Sequence, residues 1–255
     1  MKIAVLVKQV PDTWEERRLD PATGLLDRGA SESVADEIDE RALEVALRHK
    51  DGHKKTEIVA VTMGPASAAQ ALRKALSMGA DSAVHVLDDA LAGADMGRTA
   101  AVLAAALRKT GSDLVIAGNE STDGRGGLVP AMLAEHLGLP LLTALDTVEI
   151  TDTDVSGEAG LDSGILAVRA PLPALVTVTE RAAETRFPNF KGIMTAKRKP
   201  VETWSLADLG AELPDARSVV AAVSERPARA AGKKIFDDGT AAEELVAFLA
   251  AGRLI

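Results

Sequence analysis

Between Ile3 and Ala117 short apolar runs alternate with helical patterns, and that alternation leaves the chain few architectures. Ile3 to Val7 is an unbroken apolar run, as a strand buried on both faces requires. Asp36 to Arg48 sets Ile38, Ala42, Val45 and Ala46 on one face, with Glu37/Arg41 and Glu44/Arg48 at i,i+4 spacing, which predicts an amphipathic helix. Glu57 to Thr62 reads as a strand, about Ala66 to Met78 as a helix behind the Gly64-Pro65 turn, and Ser82 to Leu87 as a strand. Asp95 to Lys109 is an alanine-rich helix, Asp113 to Ala117 a fourth strand, and a further helix runs to Gly138. Strand and helix at this spacing predict right-handed crossovers and a parallel sheet. The long polar passage from Lys8 to Ser33 interrupts the pattern, and connections of that length are usually functional or mobile.

After Pro140 the texture changes. Thr147 to Thr151 and Ile165 to Arg169, separated by a turn-rich span, suggest a β-hairpin, and Ala174 to Val178 adds a strand to the main sheet. From Glu180 the chain is mostly polar and reads as an extended arm ending in a short helix, Thr240 to Ala250. An arm with so little apolar content is expected to pack on a partner. The division expected is an α/β domain over 1–180 and an arm over 181–255.

With 255 residues, 47% hydrophobic and 26% charged, the chain has material for a sizeable core. A net charge of -9 argues against nonspecific nucleic-acid binding, which needs a basic face. The absence of cysteine excludes disulfides, thiolate metal sites and cysteine nucleophiles, and fits a reducing compartment. The N-terminal apolar run is too short for a signal peptide and no run approaches a membrane span. A cytoplasmic protein without membrane insertion is therefore expected.

The richest chemistry lies in Gly118-Asn119-Glu120-Ser121-Thr122-Asp123-Gly124-Arg125-Gly126-Gly127-Leu128-Val129, a glycine-rich turn between a strand and a helix. Successive backbone N–H groups at a helix start cradle phosphate, helped by the helix dipole, and Arg125 offers a bidentate contact. The stretch is neither GxGxxG nor a Walker A pattern, and a plain connection with Thr122 or Asp123 capping the helix is the competing reading. Asp36, Glu37 and Asp39, around Ile38, form an acidic cluster at a helix start, suited to a ribose or adenine amine or simply to capping. His49, His53, His85 and His136 have no metal-ligand spacing, there is no GxSxG elbow, and no catalytic triad is suggested. Phe187 and Phe190 lie three residues apart ahead of Lys197-Arg198-Lys199, either as exposed recognition anchors or as a staple for the arm.

Several spaced motifs together resemble the β subunit of electron transfer flavoproteins along the whole chain. They are Val5 to Asp12, Asp36 to Glu44, Val61 to Pro65 with Ala75 to Asp81, Gly118 to Pro140, Leu172 to Val178, Arg186-Phe187-Pro188 and Ile193 to Lys199. The detailed wording looks like the actinobacterial branch. The resemblance implies a Rossmann-like fold of the adenine nucleotide alpha hydrolase type: an α/β, mostly parallel sheet with helices on both faces, a hairpin insertion and a C-terminal arm on the α subunit. It implies a heterodimer whose α subunit holds most of one FAD while this chain holds AMP. Electrons would pass from acyl-CoA or related dehydrogenases to a membrane quinone reductase, with no bond-making catalysis by this chain.

Carried over position by position, AMP contacts fall at Leu6, Asp36, Glu37, Ile38, Asp39, Met63 and Gly118 to Val129, mainly through the backbone. Thr13 and Ile38 occupy flavin-side positions. The partner-recognition segment falls on Arg186, Phe187, Phe190, Ile193 and Met194, with Phe190 as its apolar anchor. The chain departs from the pattern in reading Asp36-Glu37-Ile38 for Asn-Pro-Phe, and Asp123-Gly124-Arg125-Gly126-Gly127-Leu128-Val129 for Asp-Gly-Asp-Thr-Gly-Gln-Val. Some relatives carry a second FAD in place of AMP and bifurcate electrons, which is the alternative within the family. Outside it, a free-standing adenine-nucleotide sensor similar to universal stress proteins has no use for the long arm and the Phe187/Phe190 segment. An adenylating ligase lacks its pyrophosphate loop here.

Overall fold

The computed structural model describes residues 1–210, 212, 214–232 and 234–255. β1 (Lys2–Leu6) leads into a two-stranded ribbon, β2 (Gln9–Pro11) with β3 (Ser33–Ala35), and then α1 (Glu37–Gly52). The alternation continues with β4 (Glu57–Met63), α2 (Ala69–Met78), β5 (Ser82–Val86), α3 (Met96–Thr110), β6 (Leu114–Gly118) and α4 (Val129–Leu137). β7 (Leu141–Leu145) precedes β8 (Thr147–Ile150), β9 (Asp154–Leu161) and β10 (Gly164–Pro171). The chain ends with β11 (Ala174–Val178), α5 (Phe190–Ala196), β12 (Val201–Trp204), α6 (Leu206–Leu209) and α7 (Ala241–Ala251).

Seven strands form one sheet in the order β12-β5-β4-β1-β6-β11-β7, and every neighbouring pair is parallel. Side chains alternate across it as the pleat demands. Ile3 and Val5 join the core with Leu43 of α1 and with Leu72 and Leu76 of α2, while Ala4 and Leu6 join the opposite core with Leu103 and Leu107 of α3 and Leu133 of α4. Leu76 is fully buried, and truncating it to Ala would cost about 2–5 kcal/mol. From β1 the chain winds outward through β4 and β5, then returns to the other side of β1 as β6. The β1/β6 junction is therefore the point where the winding reverses, and its carboxyl end is where open α/β sheets bind ligands.

The chain divides into two compact units, Met1–Ala222 and Val223–Ile255. In the second, Leu245, Val246 and Phe248 of α7 are exposed. No helix among the described residues is long and apolar enough to cross a membrane.

Some elements differ from expectation. The polar passage after Lys8 contains the β2–β3 ribbon, with a further bridge between Leu19 and Leu26. The antiparallel insertion has three strands, because β9 fills the span that read as turns and pairs with both β8 and β10. The glycine at 157 there marks a close approach: a Cβ would stand 2.2 Å from the Thr147 carbonyl oxygen. The segment beyond Glu180 also returns to the sheet, where β12 pairs with β5 and buries Trp204.

Candidate functional site at the carboxyl ends of β1 and β6

Apolar strands deliver the backbone to this junction, and two buried acids at the start of α1 fix it there. Asp36 is the N-cap of α1: its Oδ1 accepts the Ile38 N–H at 3.0 Å. Its Oδ2 accepts both the N–H and the hydroxyl of Thr122, at 2.6 and 2.8 Å. Asp39 accepts the Lys8 N–H at 2.8 Å on one oxygen and the Gly118 N–H at 3.0 Å on the other, tying the ends of β1 and β6 to one carboxyl. Both acids are buried. Burial, and then the neighbouring Asp36 carboxylate, push Asp39 up to about 8, against the opposing pull of its two N–H donors.

Gly118 is required where it stands. A Cβ there would lie 2.8 Å from Asp39 Oδ1 and 3.1 Å from Ile38 Cγ2. The following loop is held at a second point, where Lys8 Nζ donates to Asp123 at 2.6 Å and to Ser121 at 3.1 Å. Burial works against ionising Asp123, but the Lys8 hydrogen bond and charge, with Ser121 and Gly124, keep its carboxyl below the usual range. Beyond these ties Gly124 to Leu128 are exposed, with Arg125 and Gly127 in the left-handed region at φ 48° and 63°. Arg125 pairs with Glu120 at 2.7 Å.

Neither Thr122 nor Asp123 caps α4, whose N-cap is Leu128 without a side-chain bond. Their side chains serve the loop's anchorage. The capping reading of the acidic cluster does hold for Asp36, since both its oxygens are taken by the chain itself.

The junction brings together Leu6, Asp36, Ile38, Asp39 and the stretch from Gly118 to Val129. Met63 stands at the same end of β4, the strand beside β1. Leu6 and Ile38 are buried, so Leu6 offers a ligand only its backbone and Ile38 packs against Gly118. Glu37 is exposed at the start of α1, and Thr13 is exposed in the loop after β2. Arg186 to Met194 lie elsewhere, beside α1 and α2. Lys8 was not singled out in the sequence, although it directly follows β1, where a cation meets any loop closing over the strand ends.

The chemistry of this loop suits a phosphate group. Within the exposed run, the Gly124 N–H is taken by Asp123 at 2.6 Å and the Arg125 N–H by the Ser121 carbonyl at 2.9 Å, so the backbone open to a phosphate near the start of α4 is that of Gly126 to Leu128. A Cβ on Gly126 would meet only the flexible end of Met96, at 3.0 Å from its sulfur, so the backbone there is open to close approach. The buried Oδ1 of Asn119, next after β6, has no partner among the described residues.

Comparison with known proteins gives the family. Residues 23–209 match the electron transfer flavoprotein domain. The chain is 48% identical to the electron transfer flavoprotein subunit beta of Mycobacterium leprae, over 99% of both chains. It is 34% identical to that of Bacillus subtilis, over 98% of this chain and 97% of the other. It is also 37% identical to the caffeyl-CoA reductase-Etf complex subunit CarD of Acetobacterium woodii, over 82% of this chain and 80% of that one. With a parallel sheet, a loop closed over its switch point and a full-length match, the chain belongs to the electron transfer flavoprotein family as a β subunit, of the actinobacterial kind.

Proposed function

We propose that this chain is the AMP-holding half of a two-subunit cytoplasmic electron carrier, in which an α subunit holds most of one FAD. The observation that carries the reading is the double anchorage of the glycine-rich loop, Thr122 on Asp36 and Asp123 on Lys8, over the switch point of the sheet. It leaves the backbone of Gly126 to Leu128 for a phosphate and spends the acids on the protein. AMP bound there joins α1, β6 and α4 into one rigid face and does no redox chemistry; FAD supplies the electron-carrying group. This chain makes and breaks no bonds. Thr13, exposed in the loop between β2 and β3, and Ile38 at the start of α1 mark its flavin-facing side. Phe187 and Phe190, 93% and 80% exposed, with Ile193 and Met194, are the surface offered to an acyl-CoA or related dehydrogenase. The exposed apolar face of α7 is the part of the arm that packs on the α subunit. A membrane quinone reductase takes the electrons onward.

The test is nucleotide extraction from the complex co-purified with its α subunit, with one FAD and one AMP per dimer expected. Two FAD and no AMP would transfer the reading to the bifurcating type. A yellowless homodimer that binds ATP would refute it. Gly126→Val should leave the fold intact, because only Met96 must shift, and should lower AMP content severalfold. Unchanged AMP content removes the nucleotide from this loop.

A further inference from the structure

The apolar tip on α5 is held by three clamps. Arg186, just ahead of it, donates through Nε and Nη2 to Glu44 of α1 at 2.7 and 3.0 Å and through Nη2 to Asp51 at 2.8 Å. Its backbone N–H adds a bond to the same Glu44 carboxylate at 3.2 Å. Glu44 is buried, so this fork pins the entry to α5 on a fixed point of the core. Lys199, just beyond α5, donates to the Leu76 and Ala80 carbonyls at 2.8 and 2.6 Å, using the last turn of α2 and the turn after it. Between the two, Gly192 lies directly on α2: a Cβ there would stand 2.3 Å from the Ser77 carbonyl oxygen. Asn189 caps the helix by accepting the Gly192 N–H at 2.7 Å. Phe190, Ile193 and Met194, at i, i+3 and i+4, thus share one outward face of a short helix held at both ends and along its back.

We propose that Gly192, Arg186, Glu44 and Lys199 are positioning residues that hold this face at a fixed height and orientation, so that the dehydrogenase meets a preformed helical knob instead of a loop it must order. The inference rests on the reading of α5 as the dehydrogenase-facing surface. Ordering rotamer-rich side chains at an interface opposes binding, and a surface already ordered avoids most of that loss. Glu44 is buried, so its effect on docking runs through Arg186 and through Arg48, which donates to Glu44 at 3.2 Å and to the Glu184 carbonyl at 3.3 Å.

The test uses the assembled complex and an acyl-CoA dehydrogenase that reduces the wild-type complex. Glu44→Gln keeps the volume and breaks the charged fork; Gly192→Ala lifts α5 from α2. Each should raise the apparent KM for the dehydrogenase about tenfold, leave kcat and the rate of flavin reduction by dithionite unchanged, and speed amide exchange across 187–196. Adding Glu44→Gln to Phe190→Ala should bring no further rise in KM, because the clamp acts through the tip it holds. A full tenfold rise in that background, or faster exchange with no change in KM for Glu44→Gln, overturns the positioning role while leaving α5 as the docking surface. If Phe190→Ala alone leaves KM unchanged, the docking surface itself is misassigned and the positioning role falls with it. Should Gly192→Ala fail to assemble, Glu44→Gln and Arg186→Lys, which keeps one ion pair and should raise KM less than Glu44→Gln, decide the matter alone.

Discussion

Asp36→Ala tests the central claim that one buried carboxylate closes the glycine-rich loop. It removes the α1 cap, at about 1 kcal/mol. It also strands the N–H and hydroxyl of Thr122, each bound to a charged acceptor, at about 1.5 kcal/mol apiece for a half-buried group. The expected loss is about 4 kcal/mol, of which about 3 belongs to the loop and corresponds to a roughly hundredfold rise in its opening. Asp36→Asn separates the terms. Asn caps as well as Asp, but its amide turns a donor toward the Thr122 N–H, while the threonine hydroxyl can rotate to become the acceptor. About 1–2 kcal/mol is then expected. Urea midpoints give the total, and amide exchange of 119–128 against 37–52 divides loop from helix. Equal losses for Ala and Asn, or loop amides in Asp36→Ala that exchange no faster than wild type, would show that the carboxylate does not hold the loop.

Asp39 keeps its proton to about 8 in the fold and releases it near 3.8 once unfolded, so the folded state binds more protons across that window and stability falls as pH rises through it. Asp39→Asn should flatten this decline in urea midpoints between about pH 5 and 8; an unchanged slope would assign it to another group. Gly118→Ala should cost about 1–3 kcal/mol by crowding Asp39 and Ile38, and wild-type stability by thermal melting would refute the close contact. Arg125→Gly should stabilise the protein by about 1 kcal/mol, since the arginine holds φ 48° and its ion pair with Glu120 is exposed. A lower melting temperature would mean that the pair outweighs the backbone strain.

Much of the fold was legible because the interior strands of a parallel sheet are buried on both faces and read as plain apolar runs. β1, β4, β5, β6 and β11 all did, and α1 declared itself by the spacing of Ile38, Ala42, Val45 and Ala46. β2, β3 and β12 are only three or four residues long, too short for any period to register. β9 was hidden by Gly157, since a glycine that admits a neighbouring carbonyl looks in sequence like one that makes a turn. The site was legible in its parts. The glycines and the acidic cluster stood out, but Asp36 meets Thr122 across 86 positions and Lys8 meets Asp123 across 115, and local pattern contains neither pairing. The acid at Asp36, a departure from the family pattern, has its partners within the chain, at Ile38 and Thr122.

The same pairings decide which cation an incoming phosphate can recruit. Lys8 and Arg125 both stand beside the loop, and each already has a carboxylate partner. Withdrawing Lys8 would leave Asp123, whose side chain is 6% exposed, buried and without its counter-charge, a loss of several kcal/mol that a single phosphate contact does not return. The Arg125 pair is different: the arginine side chain is 71% exposed and the glutamate 26%, so solvent screens the pair to about 0–1 kcal/mol. Lys8 thus holds the loop shut, and Arg125 is the charge free to turn inward. The Arg125→Gly variant that gains stability in the empty protein should accordingly lose several-fold in AMP affinity by calorimetry, while Lys8→Gln should loosen the loop before it affects the phosphate. An Arg125→Gly protein with undiminished affinity would mean that backbone N–H groups alone satisfy the phosphate and that the arginine, where relatives carry an acid, is neutral to binding.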